Sequence, residues 1–462
     1  MRARVFLPFS AGIFVFFYCA ARVACAACVA CAACVACAVC VSCAGGPGAY
    51  APIDAEIQSG SFEGALFSID DERGAARKTI YTAKNKILFY LDRGMIRHYA
   101  GLYGESSQDL EMAEFLIEDA FTKSLTQEIG SYLLNDNAKD YAGEDYEDLY
   151  INIFKALNYY HEGNIESALV EIRRIDEKLV YLADKYEAAK EKVLQSNKQV
   201  NPDRLPVEAS RFSHSALARY LGLLFYRGIG KSDSARIDYE ELLKAYDLAP
   251  TIYRNSLPSS VKDELIVPEG QGRLNVIAFT GLSPVKREEI IIIPLPFEFP
   301  NNTAKLAFPT MVDRNSVVQR AEVVLDNGKR FELELIENMG AVARETFKTR
   351  RGLIVLKTTA RAIAKATASA VSASVAREKG GGAWGALVGI MGRVASSASE
   401  QADIRLSRYF PCYALVGGIN LDPGDYTVTV NFYGNGRLVH SEKKEMAVRR
   451  NSLNLEQFFF LN

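Results

Sequence analysis

The chain has 462 residues, 49% of them hydrophobic and 24% charged, and a formal net charge of −2. This length predicts two or three domains with an ordinary globular core. Nucleic-acid binding requires a basic surface, which this near-neutral net charge does not indicate, so no nucleic-acid partner is expected. Of the nine cysteines, only Cys412 comes after Cys43, so no disulfide framework is predicted and Cys412 is expected to be a buried small hydrophobic residue.

Residues 1–43 have the pattern of an export signal. Arg2 and Arg4 precede an apolar block, Val5–Tyr18, that is shorter than the roughly 20 residues of a membrane helix. A Cys-Ala-Val tract then places a cysteine at every third position over Cys25–Cys43. The segment predicts export to the bacterial cell envelope, facing the periplasm, by one of three routes. These are cleavage with lipidation, which we favour, an uncleaved membrane helix, or cleavage without an anchor.

Cys43 is the predicted lipidation residue. Val41-Ser42-Cys43, followed by Ala44-Gly45-Gly46, resembles the lipobox of bacterial lipoproteins, and this cysteine is the last one before the polar chain. Cys40 stands where the lipobox usually has leucine, so Cys25, Cys28 and Cys31 remain alternatives. A zinc site would need two cysteine pairs separated by a folded loop, which a continuous period of three does not provide, so no metal or other cofactor is predicted. Residues 44–51 are predicted to be a flexible tether.

Residues 52–255 are predicted to be a helical repeat domain, because apolar side chains recur there with the period of an amphipathic helix. Three weak copies of a tetratricopeptide-like pattern can be aligned, in which small residues let two helices cross closely and a glycine permits the tight turn between them. The copies comprise Gly94, Gly101, Tyr103, Ser106, Leu110 and Ala113; Ala156, Tyr159, Gly163, Ile165, Ala168, Ile172 and Ile175; and Leu221, Gly222, Phe225, the Gly228–Ser232 turn, Leu242, Ala245 and Pro250.

Apolar residues keep an unbroken 4-3 spacing from Ala168 to Val193. That seam predicts one helix of about 30 residues, roughly 45 Å long, packed against a partner along its length. The partner is either another helix of the same chain, which we favour, or a second copy in a dimerising coiled coil. The oligomeric state is therefore left open.

Three groups of residues in this half form longer motifs. They are Tyr90-Leu91-Asp92-Arg93-Gly94-Met95; Asn135-Asp136-Asn137 with Tyr141 and Gly143-Glu144-Asp145-Tyr146-Glu147; and Ala156-Leu157-Asn158-Tyr159 through Gly163 to Ala168-Leu169-Val170-Glu171-Ile172-Arg173-Arg174. Together these motifs resemble the hallmarks of a family of functionally uncharacterised bacterial envelope lipoproteins with tetratricopeptide-like repeats. The resemblance implies export, lipidation and a helical repeat domain, and it implies no enzymatic activity.

Two other motifs suggest ligand binding, but their context does not favour it. Gly230-Lys231-Ser232 is similar to the end of a phosphate-binding loop, yet Phe225 stands where the first glycine of that loop is required and no strand precedes it. The acidic run over residues 144–148 lacks the alternating spacing and turn glycine of a calcium loop. It is predicted instead to be the solvated start of a helix, where acidic side chains favour the positive end of the helix dipole.

Residues 256–272 are predicted to be a linker and residues 273–462 a β domain. Short apolar runs separated by turn signals, such as Asp326-Asn327-Gly328 and Gly434-Asn435-Gly436, predict an antiparallel β-sandwich, so the expected fold class is multidomain α + β. The predicted strands are Leu274–Phe279, Glu289–Ile293, Ala304–Phe308, Val317–Leu325, Phe331–Ile336, Tyr413–Gly417, Tyr426–Tyr433, Arg437–Met446 and Leu453–Phe460.

An Ala/Gly-rich helical hairpin is predicted to interrupt the β domain at about residues 338–403. Its two helices are Leu353–Ala376 and Trp384–Ala398, joined at Lys379-Gly380-Gly381-Gly382. The small residues allow close helix packing, so the hairpin is expected to pack on the sheet. Membrane contact and docking to a partner remain alternatives.

The stretch around the end of the insertion carries a second set of motifs. Glu400-Gln401-Ala402-Asp403, Arg405, Pro411 and Pro423-Gly424-Asp425-Tyr426 are similar to another signature of the same lipoprotein family, although Ser407 stands where we expect tryptophan. The acidic residues and Arg405 are predicted to fix the exit from helix to strand rather than to perform chemistry.

No catalytic motif is found in the chain. The four histidines, His98, His161, His214 and His440, form no metalloprotease motif, and no serine-hydrolase elbow occurs. The protein is therefore expected not to be an enzyme. An enzyme would require a cleft with convergent titratable groups, which a sequence does not reveal.

The leading hypothesis is a non-catalytic envelope scaffold held on the membrane by its N-terminal lipid. Its helical repeats would bind an envelope protein or peptide in a groove. The alternative is a lipid or glycan carrier with an apolar cavity between the sheet and the helical hairpin. The residues predicted to line the groove are Tyr90, Asn135, Tyr141, Asn158, Tyr159 and Arg173.

Overall fold

The computed structural model describes residues 47–126, 139–184, 187–196, 210–294, 303–314, 316–379 and 402–462. Cys43 and the predicted export segment lie outside the described residues. Helices occupy the first half of the described chain and strands most of the second, so the protein is a mixed α/β protein. Among the described residues, no helix is both long and apolar enough to cross a membrane.

The first described element is a short 3₁₀ helix, Pro47–Tyr50. It lies within residues 44–51, which were predicted to be a flexible tether. Ala49 of this helix is buried. The α-helices that follow in the described residues are α1 (Ala51–Ser59), α2 (Phe62–Asp70), α3 (Ala75–Thr79), α4 (Lys86–Tyr99), α5 (Tyr103–Thr126), α6 (Asp145–His161), α7 (Ile165–Asp184), α8 (Glu187–Ser196), α9 (Ala216–Gly228), α10 (Ser232–Leu248) and α11 (Met339–Lys379).

Three pairs of helices, α4–α5, α6–α7 and α9–α10, are joined by the same tight turn. The turn glycines Gly101, Gly163 and Gly230 have φ of +76°, +78° and +72°, a left-handed conformation that L side chains rarely adopt. In the first turn the N–H of Gly101 donates to the carbonyl of His98 at 3.0 Å, and equivalent bonds close the other two turns. The sequence predicted all three turns, because this helix-ending geometry depends on a local residue choice.

Small residues bring the two helices of a pair close together. A Cβ placed on Gly94 of α4 would lie 2.9 Å from Cδ2 of Leu110 on α5, so no larger residue fits without a shift. A Cβ placed on Gly222 of α9 would lie still closer to the carboxylate of Asp238 on α10. The predicted long helix is described as α7 and α8, and the junction between them, residues 185 and 186, lies outside the described residues.

All nine predicted strands are present in the described residues. A large sheet has the strand order β8-β7-β4-β5-β6-β1-β9, and β2 and β3 form a separate ribbon. The strands are β1 (Gly272–Leu282), β2 (Val285–Pro294), β3 (Thr303–Val312), β4 (Arg320–Leu325), β5 (Arg330–Asn338), β6 (Pro411–Leu421), β7 (Gly424–Gly434), β8 (Arg437–Val448) and β9 (Asn454–Phe460).

The seven-stranded sheet is mixed and curled. Its neighbouring strands pair antiparallel except for β1 and β9, which are parallel. The two edge strands approach each other, because Lys444 of β8 forms an ion pair of 3.0 Å with Glu456 of β9 and the rings of His440 and Phe460 stack at 4.6 Å. The described strands thus form one large sheet and a ribbon, and a two-sheet sandwich is not confirmed.

The two faces of the curled sheet bury different cores. Along β1, Val276 and Ala278 face the inside of the curl, where they pack with other strand residues such as Phe432 and Phe458. Ile277 and Phe279, which point the other way, join the core of the helices. This division follows from the period of two along a strand.

The sheet packs on the first helix of each pair, and we call α4, α6 and α9 the inner helices. Ring centroids of Tyr99 on α4 and Phe459 on β9 are 4.9 Å apart, and those of Phe154 on α6 and Phe279 on β1 are 5.3 Å apart. On α9, the hydroxyl of Tyr220 accepts a 3.2 Å hydrogen bond from Asn275 of β1. The inner helices therefore form one interface with the sheet.

The segment predicted as a linker is packed into this interface. Glu264, within it, is fully buried and accepts hydrogen bonds from Arg227 of α9 and from Arg273 and Asn275 of β1. The helical insertion after β5 begins with α11, which contains the predicted helix Leu353–Ala376. The second predicted helix of that hairpin lies outside the described residues.

Candidate functional site

Three carboxylates hold the stretch that leads into β6, and we call Asp54, Asp92 and Glu147 the carboxylate clamp. Asp92 accepts hydrogen bonds from the hydroxyl of Ser407 at 2.7 Å and from the backbone N–H of Arg408 at 2.8 Å. Glu147 accepts from the backbone N–H of Ser407 at 2.6 Å. Carboxylates from two helices, α4 and α6, therefore both accept hydrogen bonds from Ser407.

The third member of the clamp joins this segment to the first helix. The guanidinium of Arg408 donates to both carboxylate oxygens of Asp54 on α1, with Nε–Oδ1 and Nη2–Oδ2 distances of 2.7 and 2.5 Å. The hydroxyl of Tyr409 donates to the same carboxylate at 3.1 Å. A bidentate arginine–carboxylate pair of this kind fixes the orientation of the two groups as well as the distance between them.

Glu147 lies in the first turn of α6 and also takes part in capping the N-terminus of that helix. Glu144 and Glu147 form a reciprocal capping box, in which the Glu144 N–H donates to Glu147 at 2.8 Å. Glu144 in turn pairs with Lys286 of β2. The acidic run was predicted to be the solvated start of a helix. The helix start is confirmed, but the predicted exposure to solvent is wrong, because Glu144, Asp145 and Glu147 are buried.

Burial raises the pKa of both central carboxyl groups. The pKa of Asp92 is raised to about 6, although hydrogen bonds from Ser407, Arg408 and Tyr81 oppose the shift. For Glu147, burial and then the charge of Glu144 raise the pKa to about 7. Both carboxyl groups are enclosed by protein donors, so their arrangement suits holding the chain together.

Arg405 fixes the start of the same segment. Its guanidinium donates to Asp403 at 2.8 and 2.7 Å, and a further nitrogen donates to the side-chain oxygen of Asn85 at 3.0 Å. The sequence assigned Asp403 and Arg405 a structural role at this exit, and the contacts are of that kind. Asp403 and Arg405 stabilise a chain direction, because each bond is to another part of the same chain.

A network of hydrogen-bonded histidine and amide side chains connects α4 and α6 to β9. Asn158 donates to Ser106 and Ser107 at 3.0 and 3.1 Å, so its side-chain oxygen is left as an acceptor, 2.6 Å from Nδ1 of His98. Gln457 lies 3.1 Å from Nε2 of His98 and 2.6 Å from Nε2 of His161. Burial lowers the pKa of each histidine to about 4.

Both ring nitrogens of His98 face side-chain oxygens, Oδ1 of Asn158 and Oε1 of Gln457, so a neutral His98 donates to only one of them. The amide nitrogen of Gln457 faces Nε2 of His161 and is placed to donate to it. The His161 ring lies flat on Tyr103, with centroids 4.4 Å apart. The two histidines thus join α4, α6 and β9 as neutral hydrogen-bonding groups.

Glu337 is a buried carboxylate with only neutral donors around it. It accepts from the hydroxyls of Tyr150 and Tyr253 at 2.7 Å each, from Ser215 at 2.9 Å and from the N–H of Leu217 at 3.3 Å. Burial raises its pKa. Glu337 sits at a register shift in β5, and this irregularity points it at the helices.

An ion network joins α5, α6 and α7. Lys155 of α6 is buried and pairs with Glu114 at 2.9 Å and Glu171 at 3.1 Å, while Lys178 pairs with Glu114 at 2.7 Å. Burial by itself would raise the pKa of Glu114, but the charges of Lys178 and Lys155 outweigh burial and lower the pKa to about 2. No group of three or more His, Cys, Asp or Glu side chains that could hold a metal occurs in the residues that the structure describes.

The residues predicted to bind a partner fall into three sets. Tyr141 and Asn158 are only 1% and 0% exposed, and both are bonded within the chain, so a partner cannot reach them on this surface. Tyr90 and Tyr159 are half-buried, and Arg173 is exposed on α7. Asn135 and Cys43 lie outside the described residues. The structure therefore does not bring the five described residues of this set together in one exposed groove.

Several residues that organise the interior were not singled out from the sequence. Gln457 and Glu337 carry no sequence motif, and Tyr253 stands in a polar loop. One usable signal was local, since Glu337 lies at the end of a strand, two residues before the first residue of α11. The partners of these residues lie far away along the chain, which no periodicity reveals.

Compared with known proteins, the chain matches no family model, no curated protein sequence and no solved structure. The function must therefore be argued from the contacts and surfaces of this chain.

Proposed function

We propose that the protein is a non-catalytic scaffold of the bacterial envelope, anchored to the membrane by a lipid on Cys43, that binds an envelope protein or peptide. The resemblance of its motifs to envelope lipoproteins supports the location, and the three helix pairs with matching glycine turns support repeats of the tetratricopeptide-like kind. The buried carboxylates of the clamp support a structural role, because each is bonded to the segment between the insertion and β6.

The inner helices do not offer an open groove. In a helical repeat array, the first helices of successive pairs line the concave side, and here that side is filled by β1, β9 and the segment around Ser407. A partner must therefore bind elsewhere on the helices. We place the binding surface on the solvent side of α5 and α7.

The observation that carries this proposal is a run of exposed apolar side chains around Arg173. Phe115 on α5 is 62% exposed and Val180 on α7 is 77% exposed, while Val170 and Tyr181 are also exposed. We call Phe115, Val170, Arg173, Val180 and Tyr181 the outer face. Apolar and aromatic side chains with an arginine are the composition of interface hot spots, and they fit a partner segment with apolar side chains beside an acidic one.

The α5 and α7 parts of the outer face are held in a fixed relation. Glu114, next to Phe115, pairs with Lys178 across the two helices, and the rings of Phe121 and Tyr181 meet edge to face at 6.0 Å. A surface that is already ordered loses little conformational entropy on binding.

Site-specific photo-crosslinking in whole cells tests the proposal. A photoreactive phenylalanine analogue at Val170 or Val180 is expected to capture one and the same envelope protein. The matched control places it at Lys329, exposed in the turn between β4 and β5, where no capture is expected. Capture of nothing from the outer face, in cells where the chain is present at the membrane, contradicts the binding proposal.

Mass analysis of the mature N-terminus tests the anchor separately. A triacylated Cys43 as first residue is the expected result, because three chains hold a protein on a bilayer far better than one. A first residue other than a lipidated cysteine contradicts the anchor.

A further inference from the structure

The chain leaves the folded body at a fixed place, beside the N-terminal 3₁₀ helix. Ala49 and Ile53 are buried against the helices, and Asp54 is held by Arg408 through two hydrogen bonds. The position of Pro47 on the body is therefore determined by packing. Whatever precedes it must begin from this point on the surface.

A lipid on Cys43 would keep this point close to the bilayer. Four residue steps separate Cys43 from Pro47, and a fully extended chain spans at most about 14 Å over that length. This step rests on the proposed lipid anchor. With so short a connection, the surface around the 3₁₀ helix and the start of α1 must lie against the headgroup layer.

The exposed residues at the start of α1 carry no charge. Gly48, Ala51, Pro52 and Ala55 are all exposed. Asp54, which lies among them, is paired with Arg408, and Glu56, which follows them, is only partly exposed. Bringing such a surface to a lipid interface requires little desolvation of charge.

Phe67 of α2 projects at the same end of the body. It is 80% exposed, the most exposed of the large hydrophobic side chains in the described residues. The left-handed Gly60 ends α1, and α2 packs back against α1, with Gly64 beside the Glu56 carboxylate. The end of α2 that carries Phe67 is therefore next to the start of α1.

We propose that Gly48, Ala51, Pro52, Ala55 and Phe67 form the membrane face of the protein, with the Phe67 ring inserted among lipid headgroups beside the anchor. Aromatic side chains are favoured at the membrane–water interface, and an apolar surface that lies on a bilayer needs no spanning helix. The lipid surface is the occupant that the position of Pro47 selects, since no other partner is forced by a short tether to meet this end of the body.

The neighbouring charges fix the character of the contact. Asp70 is paired with Arg93, and the other exposed acids, Glu63, Asp71 and Glu72, outnumber the exposed cations Arg73 and Lys78. The charges therefore do not attract an anionic bilayer, and we expect the Phe67 contact to be apolar and to form on uncharged lipid.

Tryptophan fluorescence in lipid vesicles tests this inference. Trp384 is the single tryptophan of the chain, so a W384F background allows one reporter to be introduced at a time. The full, anchored chain carrying Phe67→Trp is reconstituted into phosphatidylcholine vesicles, part of whose lipids are brominated on their acyl chains. The matched control is Phe115→Trp, a similarly exposed position on α5.

The expected result is a blue-shifted emission and a loss of fluorescence to bromolipid for Phe67→Trp, with neither change for Phe115→Trp. A blue shift without bromolipid quenching means that a second copy of the chain covers Phe67, and it overturns the proposal. An unshifted, unquenched emission from vesicle-bound protein overturns it as well. A chain that does not sediment with vesicles overturns the anchor, and the membrane face with it.

Discussion

Replacing Ser407 with alanine removes one of the three protein donors to Asp92. The lost bond is the 2.7 Å contact from the serine hydroxyl, and the donors that remain are Arg408 N–H at 2.8 Å and the Tyr81 hydroxyl at 2.8 Å. A hydrogen bond to a charged group contributes about 1.5–3 kcal/mol, and one to a neutral group about 1 kcal/mol. The cost of Ser407→Ala therefore depends on whether Asp92 is ionised.

The protonation of Asp92 gives this prediction its pH dependence. Burial, opposed by the bonds from Ser407, Arg408 and Tyr81, raises its pKa in the folded protein from 3.8 to about 6. A folded pKa above the unfolded one means that the group's stabilising contribution is complete below the unfolded pKa, near pH 4, and is lost as the pH rises through about 6. The loss in the unmodified protein amounts to about 3 kcal/mol, since one pKa unit corresponds to about 1.4 kcal/mol.

The Ser407→Ala variant is expected to lose about 1 kcal/mol of unfolding free energy near pH 5 and about 2–3 kcal/mol near pH 8. Urea unfolding of the full chain in mild detergent, followed by circular dichroism at both pH values, measures the difference. Ser441→Ala, which removes an exposed 2.8 Å bond to Asn431, is the control and is expected to cost little at either pH. An equal loss for Ser407→Ala at both pH values refutes the assignment of an ionising Asp92.

Three further substitutions test the buried contacts. Glu337→Gln turns an acceptor among hydroxyls and the Leu217 N–H into a donor and is expected to cost about 1–3 kcal/mol in urea unfolding. Gly94→Val forces side-chain volume into the close crossing with α5 and is expected to cost about 1–3 kcal/mol by the same assay. Lys155→Met leaves Glu114 with less positive charge and is expected to cost about 3–5 kcal/mol at neutral pH. Because the low folded pKa of Glu114 contributes stability above about pH 4.5 that is lost as the pH falls towards 2, this variant is also expected to show a weaker stability loss on acidification.

Matched exposed positions serve as controls for these three variants. Glu72→Gln and Lys78→Met change exposed charges, and Gly48→Ala adds a methyl group where no atom lies within 4 Å. Each control is expected to change the unfolding free energy by less than about 0.5 kcal/mol. Losses as large in the controls as in the buried variants would contradict the assignment of stability to the interior contacts.

The sequence predicted those features that depend on neighbouring residues. All nine strands of the described residues follow from short apolar runs and from turn signals such as Asp326-Asn327-Gly328. The three helix turns follow from Gly101, Gly163 and Gly230, since a left-handed residue at a helix end favours glycine. Cys412 is buried, as predicted from its apolar surroundings, and burial raises its pKa to about 11.

Two of the residues predicted to bind a partner are buried within the protein. Tyr141 and Asn158 were assigned to a partner-binding groove because exposed polar and aromatic residues on repeats often bind partners. The structure places them in the interior, where Tyr141 donates to Glu147 at 2.7 Å and Asn158 orients His98. The sequence alone does not distinguish an exposed polar side chain from a buried one that is hydrogen-bonded within the protein.

The sequence by itself thus determined a helical first half, the nine strands of the described residues and the three helix turns, because periodicity and backbone preference act over a few residues. Only the tertiary structure decided that β1 and β9 pair in parallel, that the sheet fills the concave side of the inner helices, and that Asp92 and Glu147 meet at Ser407. Ser407 lies 315 residues from Asp92 along the chain. Contacts over such a separation are selected by the global packing of apolar surface and by the need to pair every buried charge, and neither leaves a local pattern in the sequence.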